Sequence, residues 1–329
     1  MKNSKNIKGK TIVITGASSG AGKAIAFEMA HYQTNLVLAS RNKVALEEVV
    51  KECVVLGSLA IAAVVDVTDP KDLINLAATA KEFGGKVDVW INNAGVLAAG
   101  EFDRTPTEIH EQVIKTNLLG YIYGAHAVLP YFKEQGAGIL INNISVGGFF
   151  PVPYGSSYSA SKFGLKGFSA ALKTELKSYS DIYVCDLYPA FLDTPGIQHA
   201  ANYTGKALKP APPVYDPNRL ALAVAQVVEK PRAGTHVGSA STLLWLSYKI
   251  LPATTRAITK AFIDFYLKNA DPAQSTSGNL FNTVNYATAI HGGWGLSGKP
   301  KAHRKYIAAG LALGLAGVLL GVLKRNTSV

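Results

Sequence analysis

The chain has 329 residues, of which 48% are hydrophobic and 17% charged, so it can fill a large core and is not a disordered chain. Its two cysteines, Cys53 and Cys185, exclude a disulfide framework, show no metal-ligand spacing and are expected to be buried thiols. No metal site is predicted. The polar, lysine-containing N-terminus does not resemble a signal peptide, so we do not expect secretion.

The net charge of +11 is concentrated towards the C-terminus. Residues 241–329 hold ten lysines and arginines but only two acidic residues. Such a segment attracts either nucleic acid or an anionic membrane surface. Because these charges flank an uncharged apolar run and no nucleic-acid motif is present, we expect contact with a membrane and none with nucleic acid.

Short β-rich runs alternate with helix-like stretches over the first 240 residues. Most of the runs are too continuously apolar for a one-sided sheet, which is typical of buried parallel strands. The pattern predicts an α/β fold, a doubly wound Rossmann-like parallel sheet of about seven strands with helices on both faces, followed by a C-terminal helical extension. The predicted strands are Thr11–Thr15, Asn35–Ala39, Leu59–Val65, Val87–Ile91, Gly138–Asn143, Ile182–Leu187 and Thr235–Gly238.

Three regions are expected: a catalytic domain over 1–240, a helical extension and linker over 241–305, and a membrane anchor over 306–323. The proline-rich stretch 200–217 is expected to be a loop that covers the carboxyl edge of the sheet. Two helices are predicted around 242–251 and 253–268. The Gly-, Ser-, Asn- and Thr-rich residues 271–303 are expected to form an extended linker.

A glycine-rich loop, Thr15–Gly22, follows the first predicted strand and opens a helix. Glycines at such a place let backbone N–H groups approach a pyrophosphate, and the helix N-terminus adds a partial positive charge. This context supports a dinucleotide site better than the glycine pattern would alone. The residues predicted to bind the cofactor here are Gly16, Ser18, Ser19, Gly20 and Gly22.

The end of the second strand predicts which dinucleotide is preferred. An acidic residue at this position would bind the ribose 2′-hydroxyl of NAD, but the chain has Arg41. A guanidinium suits the 2′-phosphate of NADP, so NADP(H) is expected to be preferred over NAD(H). Asp66 and Val67, at the end of the third strand, are expected to lie near the adenine ring.

Tyr158 and Lys162 form a Tyr-x-x-x-Lys pair, which lies on one face of a helix. A nearby ammonium group favours the phenolate, so the tyrosine becomes able to exchange a proton with a carbonyl or an alcohol. Ser145, thirteen residues earlier and just past a strand, is expected to hold the substrate oxygen by a hydrogen bond.

These residues together give the chain a close resemblance to the short-chain dehydrogenase/reductase family over roughly residues 8–240. The resemblance implies that Asn93, Ala94 and Gly95 line the cofactor, that Asn117 holds a water in a proton relay, and that Lys162 also binds the nicotinamide ribose. It also places Pro189 and Thr194 at the nicotinamide. The matching positions are Thr15–Gly22, Asp66, Asn92–Gly95, Asn117, Ser145, Tyr158 and Lys162.

Three features depart from the family pattern. Ala21 stands where isoleucine is usual, which changes little. Ala190 follows Pro189 where glycine is usual, and its methyl group would shift the backbone if the position required a glycine conformation. The third departure is the long C-terminal extension.

The apolar run Tyr306–Leu323 would be about 27 Å long as a helix, close to the thickness of a bilayer core. Its two Gly-x-x-x-Gly patterns and basic flanks favour a single-span anchor with the active site on the cytoplasmic face of a membrane. A buried C-terminal helix or an oligomer interface remains the alternative, and a homo-oligomer stays open.

The expected function is transfer of a hydride between NADP(H) and a small-molecule carbonyl or secondary alcohol. The apolar residues Phe149–Pro153, between Ser145 and Tyr158, favour an apolar or lipid-like substrate. A catalytically silent NADP(H)-binding sensor or scaffold on the same fold is the alternative from another class. An epimerase or dehydratase is less well supported, because the apolar loop suits a nucleotide sugar poorly.

Overall fold

The computed structural model describes residue 4 and residues 6–295, and all structural statements concern these residues. The strands are β1 (Thr11–Thr15), β2 (Asn35–Ser40), β3 (Leu59–Val64), β4 (Val89–Asn92), β5 (Ala98–Gly100), β6 (Gly138–Asn143), β7 (Ile182–Pro189), β8 (Ala201–Tyr203) and β9 (Gly234–Val237). The helices are α1 (Gly20–Ala30), α2 (Lys43–Val55), α3 (Pro70–Gly84), α4 (Thr107–Ile114), α5 (Gly120–Gln135), α6 (Ser156–Glu175), α7 (Asn218–Glu229), α8 (Ser239–Ile250) and α9 (Pro252–Asn269).

Seven parallel strands form the central sheet in the order β3-β2-β1-β4-β6-β7-β9. Strands β1 and β4 are buried along their whole length, as expected for strands covered on both faces. The prediction of a doubly wound parallel sheet is confirmed. The order reverses between β1 and β4, and ligands bind at such a switch point, beyond the carboxyl ends of the strands.

Two apolar layers hold helices against the sheet. Helices α1, α2 and α7 pack on one face, and α3, α5 and α6 pack on the other. Local signals set several helix ends. The Asp69 side chain caps α3 by accepting a hydrogen bond from the backbone N–H of Lys71, and Gly85 ends that helix with φ +73°.

A second, two-stranded sheet pairs β5 with β8 beside the main sheet. Each strand has three residues, too few to show a period of two, so sequence periodicity did not predict them. The small sheet ties the chain after β4 to the loop after β7, and both stretches border the carboxyl edge of the main sheet.

The C-terminal part begins with the two predicted helices, α8 and α9, which pack on each other. The next residues differ from the expected extended linker. Residues 276–295, which we call the strap, lie along the carboxyl edge of the sheet, where their backbone groups bond to the catalytic domain. Within the described residues, no helix is both long and apolar enough to span a bilayer; the predicted anchor, 306–323, lies outside them.

Candidate active site

An open cleft of about 440 Å³ lies at the carboxyl edge of the sheet, over the switch point between β1 and β4. Every residue predicted to bind a cofactor or to take part in catalysis borders this cleft. Turns that follow β1, β2, β3, β4, β6 and β7 therefore meet at one place, although their residues are up to 178 positions apart in the sequence.

The glycine loop after β1 is packed too tightly for side chains. A Cβ on Gly22 would lie 2.1 Å from the carbonyl oxygen of Gly16, and one on Gly16 would lie 2.7 Å from Cα of Ala94. Gly16 also has φ +68°, a conformation that glycine tolerates best. These close approaches leave the backbone and the N-terminus of α1 facing the cleft.

Partly buried hydrogen bonds join this loop to the end of β4. The hydroxyl of Thr15 accepts from the backbone N–H groups of Asn93 and Ala94, at 3.0 and 3.1 Å. The Asn93 amide nitrogen donates to the carbonyl oxygens of Thr15 and Gly16, and its oxygen accepts from the amide of Asn143. The network fixes three neighbouring strand ends relative to one another.

Arg41, at the end of β2, lies beside the same cleft but is already engaged. Its guanidinium donates to the carbonyl oxygens of Asn279 at 2.5 Å, Leu280 at 3.0 Å and Phe281 at 3.4 Å, all in the strap. Among the described residues these bonds use three of the roughly five N–H donors of an arginine, which leaves about two for a ligand.

Asp66 lies at the end of β3, where the sequence predicts the adenine ring. One of its carboxylate oxygens accepts from both the backbone N–H and the hydroxyl of Thr68, each within 2.9 Å. These bonds hold the side chain in place at the wall of the cleft, with Val67 next to it.

Ser145 and Tyr158 face each other across the cleft. Ser145 follows β6 with φ +98°, an uncommon conformation for a residue with a side chain, and such strain is often found at functional sites. Its hydroxyl accepts from the backbone N–H of Gly147 and is hydrogen-bonded with Tyr158. Burial raises the pKa of Tyr158, whereas the hydrogen bond with Ser145 lowers it.

Lys162 lies one turn after Tyr158 in α6, on the same helix face, as predicted. Its ammonium nitrogen is 5.8 Å from the ring centroid of Tyr158 and 5.1 Å from that of Tyr121, and it donates to the carbonyl of Asn143 at 3.3 Å. The side chain is almost fully buried, and this burial lowers the pKa of Lys162 to about 7. The ammonium is thus available near neutral pH but is easily discharged.

Asn117 is fully buried in a π-helical turn, Lys115–Leu119, between α4 and α5. Its side-chain oxygen accepts from the backbone N–H of Val96, and its nitrogen donates to the carbonyl of Val96, at 2.8 and 2.9 Å. The side chain therefore braces the chain after β4. A π turn disturbs the regular helical bonding, and such turns are frequent at functional sites.

The part of the cleft beyond Tyr158 and Ser145 is mostly apolar. Of the apolar residues Phe149–Pro153, only Phe150 and Val152 border this wall. The ring of Phe149 packs on Tyr188 and His236 instead. The apolar wall residues include Leu97, Phe150, Val152, Phe191, Ile197 and Pro210.

Comparison with known proteins identifies the family. The sequence pattern described as short chain dehydrogenase matches residues 10–203. The uncharacterized oxidoreductase YxnA of Bacillus subtilis is 32% identical over 256 residues, which cover 76% of this chain and 71% of that protein. Estradiol 17-beta-dehydrogenase 11 of Mus musculus is 32% identical over 211 residues, 64% of this chain and 71% of that protein.

Similar solved structures point to the same family. An alcohol dehydrogenase from Thermococcus sibiricus, complexed with 5-hydroxy-NADP, has a TM-score of 0.61 and 26% identity, over 71% of this chain and 98% of that one. A variant of actinorhodin polyketide ketoreductase with NADPH has a TM-score of 0.63 and 27% identity, over 70% and 95% of the two chains. The chain belongs to the short-chain dehydrogenase/reductase family. It is an oxidoreductase of a fold that uses a nicotinamide cofactor.

The residues that the cleft presents fit a dinucleotide. A Cβ on Gly16 or Gly22 would collide with the backbone of the neighbouring turns, so the loop keeps its tight form only with glycines at these positions. This tight form leaves the N-terminus of α1 facing the cleft, where it can bind an anionic group such as a pyrophosphate. The cleft is long enough to run from Arg41 and Asp66 at one end to Thr194 at the other. These two ends are where the sequence predicts the adenine ring and the nicotinamide.

The replacement of glycine by Ala190 does not disturb the site. Ala190 is not among the residues with a positive φ, and its backbone N–H donates to Val237 as part of the sheet edge. An ordinary L-residue therefore fits after Pro189. The two cysteines are buried, and burial raises the pKa of Cys53 to about 12 and that of Cys185 to about 11, as expected for structural thiols.

Sequence reasoning missed several residues of this short-chain dehydrogenase/reductase site. Tyr121 and Asn143 contact Lys162, and Gly147 contacts Tyr158, but none of them stands in a motif that local spacing would reveal. The strap residues that border the cleft were also missed, because their contacts are with the first strands of the chain. They are Asn279, Thr283, Val284 and Thr288.

Proposed function

We propose that this oxidoreductase uses NADP(H) to interconvert a carbonyl and a secondary alcohol, with Tyr158 as the proton donor and acceptor. The observation that carries the proposal is the meeting of Ser145, Tyr158 and Lys162 in one cleft with the glycine loop. When bound, the nicotinamide supplies or accepts the hydride. The residues of the chain have to bind the substrate oxygen and move the proton.

Each of the three side chains has a separate task. In the direction of reduction, Tyr158 gives its phenolic proton to the substrate oxygen, while Ser145 holds that oxygen by a hydrogen bond. The Lys162 ammonium stabilises the phenolate that remains, because an opposite charge nearby favours the ionised form. Asn117 is proposed to hold the water through which a proton returns, and the bracing of its side chain by Val96 supports a fixed position.

The preference for NADP(H) rests on Arg41. No acidic side chain stands at the end of β2 to repel a 2′-phosphate, and the two guanidinium donors left by the strap suffice for a bidentate contact. Ser18 borders the same end of the cleft and is proposed as a second phosphate contact. The similar structures with NADPH and NADP are consistent with this preference.

The substrate is proposed to be apolar or lipid-like. The cleft beyond the reacting groups offers Phe150, Val152 and Ile197, but few charged groups that would orient a polar metabolite. Ligand sites with such walls obtain most of their binding free energy from apolar contact and use a few polar groups for orientation. The name of one relative, estradiol 17-beta-dehydrogenase 11, refers to estradiol, an apolar alcohol.

We also propose that the enzyme works at an anionic membrane surface. An exposed apolar stripe on α8 and α9 lies among basic side chains, the combination that binds anionic bilayers. The apolar residues are Leu243, Leu246, Ile250, Ile258, Phe262 and Phe265, and the basic ones are Lys249, Arg256, Lys260 and Lys268. The wild-type protein should float with phosphatidylserine vesicles and not with phosphatidylcholine vesicles. A Phe262→Ser/Phe265→Ser variant should lose this flotation, and retained flotation would place any membrane contact elsewhere.

The test of the function is turnover over a panel of apolar and small polar carbonyls with NADPH and with NADH. Consumption of NADPH with an apolar carbonyl, and little with acetone or pyruvate, is the expected result. Binding of NADPH without turnover on any panel member would favour a sensor or scaffold. Turnover confined to small polar ketones would contradict the apolar substrate.

A further inference from the structure

The strap, residues 276–295, runs along the whole outer side of the cleft. It starts where Thr276 and Asn202 exchange two backbone hydrogen bonds beside β8, and it ends near Thr194 after β7. Four of its residues border the cleft itself. The family pattern ends at residue 203, so the match does not extend to the strap.

The first attachment of the strap is at the end of β2. Arg41 binds three successive strap carbonyls, and the side chain of the next residue, Asn42, donates to the carbonyl of Val284 at 3.1 Å. Asn42 also caps α2 by accepting from the backbone N–H of Ala45. The strap is thus bonded to the turn after β2, where the sequence predicts the 2′-phosphate.

The second attachment is at the glycine loop. The backbone N–H of Gly20 donates to the carbonyl of Ala289 at 2.9 Å, and the ammonium of Lys23 reaches the carbonyl of Thr288 at 3.4 Å. The strap therefore passes directly over the N-terminus of α1, where a pyrophosphate would lie.

The third attachment is a buried leucine. Leu280 is fully buried in an apolar cluster with Val96, Ile109 and Val113, and the ring of Tyr158 packs against the same cluster. The next residue, Phe281, is 44% exposed. Leu280 is thus the buried side chain that holds the first part of the strap in the protein, and it does so beside the proposed catalytic tyrosine.

The last attachment is a carboxylate. Asp193 accepts hydrogen bonds from the backbone N–H groups of Gly292, Trp294 and Gly295, at 2.8 to 3.1 Å. Asp193 is buried and does not border the cleft, so its contacts serve the strap. Three charge-assisted hydrogen bonds to one carboxylate therefore hold the C-terminal end of the strap.

We infer that the strap is the outer wall of the dinucleotide site and that the cofactor leaves only when the strap opens. This inference rests on the proposed use of a dinucleotide. A ligand lying between Arg41 and Thr194 would have the sheet edge on one side and the strap on the other. Its release would then be limited by breaking the attachments at Leu280 and Asp193, neither of which borders the cleft.

Arg41 is in this scheme a positioning residue as well as a phosphate ligand. Its guanidinium lies between the strap carbonyls and the proposed site of the 2′-phosphate, so a bound phosphate would hold the arginine in the geometry that fastens the strap. NADP⁺ should therefore protect the strap more than NAD⁺ does, even when both are saturating.

The experiment measures release of NADPH from the full chain by stopped-flow fluorescence, together with hydrogen exchange of the strap amides. Leu280→Ala removes a buried side chain, and Asp193→Asn removes the charge and one of the two acceptor oxygens. Each change is expected to speed release by roughly tenfold to a hundredfold, since each weakens an attachment that opposes local opening. Phe281→Ala is the matched control: it alters the neighbouring exposed side chain and should leave the release rate within about twofold of the wild-type rate.

The outcomes separate this inference from the proposed function. Failure of the wild-type protein to bind NADPH would overturn the proposed function and the strap together. If NADPH binds, and strap amides exchange faster in Asp193→Asn while its release rate stays unchanged, the strap is not the barrier to release. Equal protection of strap amides by saturating NAD⁺ and NADP⁺ would overturn the role of Arg41. Should Leu280→Ala fail to fold, Asp193→Asn, an isosteric change, decides the question.

Discussion

The ring of Tyr158 packs directly on the backbone of Gly147, so closely that a Cβ on Gly147 would lie 2.9 Å from Cε1 of the ring. The backbone around Gly147 also donates to the hydroxyl of Ser145 at 3.2 Å. The position of the proposed proton donor relative to the serine therefore depends on the absence of a side chain at this turn.

Gly147→Ala should move the tyrosine ring and lower kcat by roughly tenfold to a hundredfold, because small displacements of a reacting group are costly. Binding of NADPH should be unchanged within a factor of about two, since the methyl group points at Tyr158. Steady-state kinetics with a panel substrate measures kcat, and a fluorescence titration with NADPH measures binding.

The control is Gly167→Ala in the same helix as Tyr158, where an added Cβ meets nothing within 4 Å. This variant should keep its kcat and gain up to about 1 kcal/mol of stability from the better helix former. An unchanged kcat in Gly147→Ala would show that the contact with Tyr158 does not position the phenol.

Much of the fold follows from short-range patterns in the sequence. The runs Thr11–Thr15 and Gly138–Asn143 each have three consecutive apolar residues, because these strands are buried on both faces of a parallel sheet. Tyr158 and Lys162 are four residues apart in a segment that can form a helix, so their shared face could also be predicted.

The strap could not be predicted in this way, because its partners are far away in the sequence. Arg41 and Leu280 are 239 positions apart, and the bond between them ends on a backbone carbonyl that every residue type has. The one local hint is Leu280 itself, a large apolar residue in a polar, glycine-containing stretch. The composition of residues 276–295 predicted a linker. Hydrogen bonds to backbone groups do not require particular side chains in the strap, so they cannot be read from its composition.

Thr15 supplies a second prediction, on stability. Thr15→Val keeps the shape of the buried side chain but leaves the half-buried N–H groups of Asn93 and Ala94 without their acceptor. The free energy of unfolding should fall by about 1–3 kcal/mol, the cost of donors that lose their partner away from full solvent contact. Urea denaturation measures this change.

The conservative variant Thr15→Ser retains the hydroxyl and should lose less than about 1.5 kcal/mol, mainly from the missing methyl group. Equal destabilisation by valine and serine would mean that packing, and not the hydroxyl, accounts for the role of Thr15.

Lys162 provides a prediction on pH. Its pKa is lowered by burial to about 7 in the folded protein but lies near 10.5 when the group is exposed. Between these values the unfolded chain binds the proton more readily, so the stability of the wild-type protein rises with pH across this window. Lys162→Met removes that contribution.

The free energy of unfolding of the wild-type protein relative to Lys162→Met should therefore increase from pH 7 to pH 10, by at most about 1.4 kcal/mol for each pH unit. Comparing the two proteins cancels groups that titrate in both. Parallel stability curves over this range would show that the lysine keeps an ordinary pKa after folding.

Arg41→Ala tests the cofactor preference. Loss of a charged contact to the 2′-phosphate should lower kcat/KM for NADPH by roughly tenfold to a hundredfold more than kcat/KM for NADH. Loosening of the strap would weaken both cofactors alike, because the strap carbonyls do not distinguish them. An unchanged ratio of the two kcat/KM values would exclude a phosphate contact by Arg41.

Tyr158→Phe tests the central claim most directly, since it removes one hydroxyl and leaves the ring between Gly147 and Lys162. Tyr154→Phe, four residues earlier in the loop before α6, is the matched control, because its hydroxyl is bonded to Asp264 outside the cleft. The measurement is single-turnover oxidation of bound NADPH with an apolar carbonyl. We expect Tyr158→Phe to bind NADPH normally and to react at least about a hundredfold more slowly, while Tyr154→Phe reacts like the wild-type protein. Reaction of Tyr158→Phe at the wild-type rate would contradict the account.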